Sequence, residues 1–300
     1  MATKTWTWWP IVAVLVKIED MLGTNRTWTA VNARQEDFLK DFFAKCRGEL
    51  GKLAEQLTSV VDTAVGPVNK FLADRGFDIQ LEDQGPRSLY AASVFDLLLD
   101  WLAPGKKIDW RAQDGFAFDA VKLKSLGQAT FNPVYMLGDT YSNEAVQITA
   151  SNGDVVHLIK DRRGSSGRNI LGVAIAQHGL TVKSESGNKR YEEIIFPMVT
   201  LDQQVDISWL QGLHTCTDNL DFYEIAQALQ QTKVRMNHLG VRVESAVAVS
   251  VRFMALATEP PTRFVIDEPF WLVIERPGVK QPLFVGFMDR DCWKNPGSLK

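Results

Sequence analysis

Apolar residues near the start of the chain come in a block. Trp8, Trp9, Ile11, Val12, Val14, Leu15 and Val16 precede Lys17-Ile-Glu-Asp20. The block predicts a buried amphipathic helix stopping at Gly23. It is too short to cross a bilayer, and no small-residue cleavage site follows it. Neither a membrane segment nor a leader is expected. From Asn32 the spacing turns helical: Phe38, Leu39, Phe42, Phe43, Cys46, Leu50, Leu53 and Leu57 recur at threes and fours. Asn32 is placed to cap this helix, with Gln35 as its capping-box partner. Glu36 and Asp41 precede Lys40 and Lys45 by four, the favourable order. Gly66-Pro67 breaks the pattern, and Val68, Phe71 and Leu72 predict a shorter helix ending at Gly76. After a polar loop over 77–86, Leu89, Ala92, Phe95, Leu98, Leu99 and Leu102 predict another helix over Ser88–Ala103, closed by Pro104-Gly105.

Beyond residue 115 the period shortens to two. Phe116–Leu123, Val134–Met136, Ala145–Ile148, Val155–Ile159 and Ile170–Ile175 read as strands. Gly138-Asp139 and Asn152-Gly153-Asp154 are the turns between them. The last fifth carries the clearest pattern. Ala246, Ala248 and Ser250 alternate with Val247, Val249 and Val251, as in a strand. Met254–Pro261 is small-residued and ends in two prolines, which predicts an exposed connection. Phe264–Glu275 is almost continuously apolar, as a strand covered on both faces would be. Pro277-Gly278 turns the chain, and Pro282–Phe287 returns as the hairpin partner. The expected core includes Phe196, Trp209, Phe264, Phe270, Leu272, Ile274, Leu283 and Phe284. The layering predicts one α+β domain over 1–300: a helical portion (1–110) packed on mixed, largely antiparallel β-sheets (111–300).

Three hundred residues, 45% of them hydrophobic, can bury a core without staples. The three cysteines, Cys46, Cys216 and Cys292, are too scattered for a disulfide framework or a zinc site. They read as buried small hydrophobes, which suits a reducing compartment or a protein indifferent to compartment; with no evident leader, a cytoplasmic setting is the expectation. A net charge of −3 argues against a general nucleic-acid surface. The four histidines (His157, His178, His214, His238) show no metal-ligand spacing. Phosphate-loop, dinucleotide and nucleophile-elbow motifs are missing from the sequence. No cofactor, metal or catalytic residue is therefore assigned, and the chain is not expected to be an enzyme. Arg162-Arg163-Gly-Ser-Ser-Gly-Arg168 has donors for a phosphate. A strand follows it rather than a helix, so a solvated hairpin loop is the better reading.

Phe264-x-x-Asp267-x-Pro269-Phe270-x-x-x-Ile274, with Leu283-Phe284-x-Gly286 and Pro296, resembles the C-terminal signature of the serpins. Two upstream stretches are similar to that family's segments. Ile194–Asp202 with Val205-Asp-Ile, Leu210 and Gly212-Leu213 is like a strand leading into a short helix. Val234-x-Met-Asn-His238-x-Gly-Val-x-Val-Glu244 is like the strand that enters the reactive-centre loop. The resemblance covers about residues 190–296. Upstream of it the family's usual N-terminal pattern is not visible, and the chain is shorter than a typical serpin. The resemblance implies a serpin-like fold with a reactive-loop-like segment over 244–261. In inhibitory serpins a protease cuts this loop, and the freed arm inserts into the main sheet and distorts the trapped enzyme.

That stroke requires a small, flexible hinge, usually a Gly and Thr followed by several Ala. Here the hinge-like residues are Glu244, Ser245, Ala246, Ala248 and Ser250, with Val in every other place and no Gly. The candidate scissile residues, Arg252-Phe253 and Met254-Ala255, lie close to that hinge. A short, β-branched arm points to a non-inhibitory binding role. Inhibition of a serine or cysteine protease by insertion of 244–261 is the alternative. A protease or another protein is the expected partner; nucleic acid and membrane are not.

Overall fold

The computed structural model describes residues 4–23, 27–85, 88–97, 99–125, 127, 129–135, 142–160, 181–182, 191–218, 221–241 and 262–299. The chain opens with strand β1 (Lys4–Trp6) and helix α1 (Trp9–Leu22), which stops at Gly23 as its spacing requires. A second helical run begins at Asn32, whose side chain accepts the Gln35 N–H. It passes through α2 (Ala33–Phe38), a π turn (Leu39–Phe43), α3 (Ala44–Cys46) and a tighter 3-10 stretch (Arg47–Leu53). The Gln35 side chain does not close a capping box. Its Oε1 accepts the Val31 N–H at 2.8 Å, and its amide donates to the Trp209 and Gln211 carbonyls at 2.8 and 2.9 Å. Next come β2 (Leu57–Asp62) and α4 (Val65–Ala73). Gly66-Pro67 lies in the first turn of α4, where a missing N–H costs nothing, so it starts this helix rather than separating two.

The helix expected over Ser88–Ala103 is not formed. The stretch is β3 (Tyr90–Phe95) followed by β4 (Leu99–Asp100). Tyr90, Ala92 and Val94 are buried in a cluster with Val68 and Leu72 of α4, while α1 packs against the same strand. A strand sandwiched between two helices is apolar on both faces. Such a run is indistinguishable by spacing from a buried helix. Among the described residues the last α-helix ends at Ala73, and strands β1 to β4, with the next strand Lys106–Arg111, all lie wholly or partly inside the portion expected to be helical.

The remaining strands are β5 (Lys106–Arg111), β6 (Ala117–Lys124), β7 (Ala129–Tyr135), β8 (Ser142–Thr149), β9 (Val155–Lys160), β10 (Thr181–Val182), β11 (Glu193–Pro197), β12 (Val199–Val205), β13 (His214–Cys216), β14 (Phe222–Glu224), β15 (Gln230–Met236), β16 (Gly240–Val241), β17 (Arg263–Val265), β18 (Phe270–Glu275) and β19 (Phe284–Met288). The largest sheet has the order β1-β19-β18-β9-β8-β7-β10, and a second runs β17-β11-β6-β5. The β18–β19 hairpin sits inside the first, with Leu272 opposite Gly286 and Ile274 opposite Phe284. Gly286 is there because a Cβ would collide with the Phe284 ring and the Met288 side chain.

The apolar run from Phe264 divides at Pro269, which has no N–H to give a ladder. β17 joins the four-stranded sheet and β18 the seven-stranded one. Seven of the eight expected core residues are buried; Trp209 is only half-buried. It stands at a rim with Phe38 at 5.4 Å and the Arg34 guanidinium 4.7 Å over its ring. No local pattern predicts β1. It pairs with β19 and stacks Trp6 on Trp271 at 5.8 Å, and the Trp9 indole donates to the Pro282 carbonyl at 2.9 Å. The start of the chain is thus held on its end.

Candidate strand-accepting cleft

Among the described residues four strand pairs stand apart from the large sheets, and two of them border one cavity. β2 pairs only with β3, and β12 only with β15. Among the described residues, one edge of β3 and one edge of β15 carry no ladder partner. Both edges line a single cavity of about 1160 Å³. Ile11, Val14, Leu15 and Ile18 of α1 form its apolar floor. That volume exceeds the roughly 300–1,000 Å³ of small-molecule pockets. Unpaired backbone beside an apolar floor is the chemistry of β-augmentation: N–H and C=O groups await a ladder, and side-chain space awaits alternate residues. Thr7 adds one polar group to the lining; its buried hydroxyl has no hydrogen-bond partner among the described residues.

The cleft is joined in sequence to the reactive-loop-like segment. β15 forms one wall, turns through Asn237–Leu239 and becomes β16. There Gly240 pairs with Asp100 and Val241 with Leu99. A Cβ on Gly240 would overlap the Leu99 carbonyl oxygen. Trp101 fixes the turn from the other side, its backbone N–H donating to Leu239 O at 3.2 Å and its indole to Asn237 O at 3.0 Å.

Past the segment, Thr262 O accepts the Glu192 N–H at 3.0 Å, and β17 runs parallel to β11. Glu193 binds Arg263 at 2.9 Å and Lys122 at 2.6 Å. Burial pushes the Glu193 carboxyl up, but the hydrogen bonds from these two cations outweigh it and hold its pKa below the ordinary range. Both ends of segment 242–261 are thus tied to fixed structure.

The residues singled out on that segment, Glu244, Ser245, Ala246, Ala248, Ser250, Arg252, Phe253, Met254 and Ala255, lie outside the described residues. So do the Arg162–Arg168 loop and His178. The other histidines are dispersed. His157, buried on β9, contacts Glu275 at 2.9 Å, while His214 Nδ1 lies 3.1 Å from the Gly212 carbonyl oxygen. No group of three metal-ligating side chains exists among the described residues, and no described helix is long and apolar enough to cross a membrane. Cys46 and Cys292 are buried as expected, but Cys216 is exposed on the short β13. Burial pushes the Cys46 thiol up to about 12. No local signal marks the cleft in the sequence: the period-2 set Tyr90, Ala92 and Val94 of β3 is interleaved with the apolar Ala91 and Phe95, so the stretch predicts a helix.

No family model matches this chain, and no curated protein matches it. Solved structures do. Serpin48, a highly specific serpin of the insect Tenebrio molitor, aligns over 93% of this chain and 95% of its own, with 14% identity and a TM-score of 0.51. Native protease nexin-1, solved with heparin, aligns over 93% and 96% at 12% identity and a TM-score of 0.49. Thyroxine-binding globulin, solved with thyroxine, aligns over 95% and 92% at 12% identity and a TM-score of 0.46. The first alignment, together with the buried hairpin and its flanking strands, establishes the architecture: this chain has a serpin-like α+β fold.

Proposed function

We propose that this chain is a protein-interaction module without catalysis of its own. It presents segment 242–261 to partners and takes an extended strand into the cleft between β3 and β15. The observation that carries this reading is the pair of unpaired strand edges lining one apolar-floored cavity. The segment's sequence matches such a slot. Ala246, Ala248 and Ser250 on one face and Val247, Val249 and Val251 on the other suit a strand covered from both sides. The Val-filled hinge and the short distance to Arg252 favour binding over inhibition. Protease inhibition by cleavage and insertion stays as a second reading on one observation: β15, a wall of the cleft, leads through the short β16 into this segment.

The test is a peptide with the sequence of residues 245–252, titrated into the protein while its melting is followed. A rise in melting temperature that saturates with peptide supports the cleft as a strand acceptor; no rise at millimolar peptide removes it. Trypsin then separates the two roles. The binding role predicts no protease complex that survives a denaturing gel. A stable complex, with a large gain in melting temperature after cleavage at Arg252, makes the chain an inhibitor.

A further inference from the structure

Asn152 is the only asparagine of the chain followed by glycine. It stands exposed in the turn between β8 and β9, while Asp154, two residues on, is buried. Asn152 Oδ1 accepts the Asp154 N–H at 3.0 Å, and its Nδ2 donates to Asp154 Oδ2 at 2.9 Å. The Gly153 N–H donates to the Ala150 carbonyl at 3.0 Å, and the Ala150 N–H to the Asp154 carbonyl at 2.8 Å. The Arg276 guanidinium grips the Asp154 carboxylate by two bonds of 2.9 Å.

The turn also anchors what lies beside it. Ala150 bridges to Trp101, and the Ser151 N–H donates to the Asp100 carbonyl at 2.8 Å. Asp100 in turn pairs with Gly240 on β16, the strand that enters segment 242–261.

We propose that Asn152 is a site of spontaneous deamidation, and that its conversion loosens the Arg276–Asp154 joint and the strands tied to it. The Gly153 nitrogen attacks Asn152 Cγ, a cyclic imide closes, and Nδ2 leaves as ammonia with the proton from Gly153. Water then opens the imide at one of its two carbonyls, giving aspartate or isoaspartate. The turn needs glycine at 153, where φ is +87°, and glycine has no side chain to shield the attacking nitrogen. The Asp154 N–H on Oδ1 draws electrons from Cγ and steadies the oxyanion of the attack. The bond from Gly153 to Ala150 opposes it, so conversion in the folded chain waits for the turn to open. Aspartate at 152 has no N–H to give Asp154, and two neighbouring carboxylates then face one guanidinium. Isoaspartate also lengthens the main chain inside the turn, which breaks the register between Ala150 and Asp154.

The experiment holds the wild-type chain, folded and in urea, at mildly alkaline pH beside N152S, which has no amide to lose there. N152D stands in for one product. The Asn152 peptide should gain one mass unit before the other asparagine peptides, separate into two chromatographic forms, and convert several-fold faster in urea. Aged wild-type protein and fresh N152D should both melt roughly 2–4 °C below fresh wild type, with faster amide exchange at Leu99 and Val241. Aged N152S should melt as it did when fresh. An Asn152 peptide that keeps its mass while others convert overturns the site. So does aged N152S losing as much as aged wild type, since the damage then lies elsewhere. N152D melting and exchanging as wild type does overturns the link to the joint.

Discussion

Replacing Arg276 by Met should be among the most damaging single changes at the polar joints of this fold. Arg276 follows β18, and its guanidinium grips Asp154 by two bonds of 2.9 Å. It also donates to Gln56 Oε1 at 2.9 Å and to the Lys52 carbonyl at 3.2 Å. The Asp154 side chain is only 2% exposed and that of Arg276 19%. Asp154 holds the guanidinium pKa above its ordinary value, chiefly through these hydrogen bonds. R276M fills the same space but leaves a buried carboxylate without its counter-ion, a loss of roughly 3–5 kcal/mol. Asn152 still donates to Asp154 at 2.9 Å, which places the expectation near the lower bound, at about 3 kcal/mol.

The joint connects the central hairpin, the β8–β9 turn and the chain entering β2, whose ladder partner β3 is one wall of the cleft. Urea unfolding monitored by tryptophan fluorescence reads the cost. Adding D154N removes the stranded charge, so the double variant should regain at least about 1 kcal/mol. An R276M protein within about 0.5 kcal/mol of wild type would show the pair to be surface decoration. So would a double variant no better than the single one.

Further outcomes follow from other sites. G240A should cost about 1–3 kcal/mol, because the new methyl meets the Leu99 carbonyl across β4 and β16; amide exchange around Leu99 and Val241 should rise with it. Glu193 has a depressed folded pKa, so its stabilisation is present above the unfolded value of about 4.3 and is lost as pH falls through the lower folded value. Wild-type stability should therefore fall more steeply than that of E193Q below about pH 4, as followed by circular dichroism. In a native thiol titration Cys216 should react readily, while buried Cys46 and Cys292 wait for unfolding. Three thiols reacting together would contradict the burial.

The C-terminal hairpin was legible because its signals agree: a β-branched and aromatic run, Pro277-Gly278, and a matched return strand. Helix α1 was legible for the same reason, with Gly23 as its stop. The cleft was not. β3 lies between α1 and α4, so neither face shows the polar alternation that marks a strand. The stretch 77–86 predicts a polar loop although Phe77, Ile79 and Leu81 alternate; the hydrogen bonds that hold it come from residues about 150 positions away. β1 is three residues long and owes its place to β19, a pairing no local pattern records. The Arg276–Asp154 joint likewise spans 122 positions. Sequence periodicity reports what an element packs against in bulk, not which distant residue meets it.

The most direct measurement is residue-level amide exchange on the free edges of β3 and β15, with and without the 245–252 peptide. A strand seated between them should bond those edge amides, slowing Tyr90–Phe95 and Gln230–Met236 together. Protection confined to other segments, or none at saturating peptide, would mean that the cleft is not where this protein receives a strand.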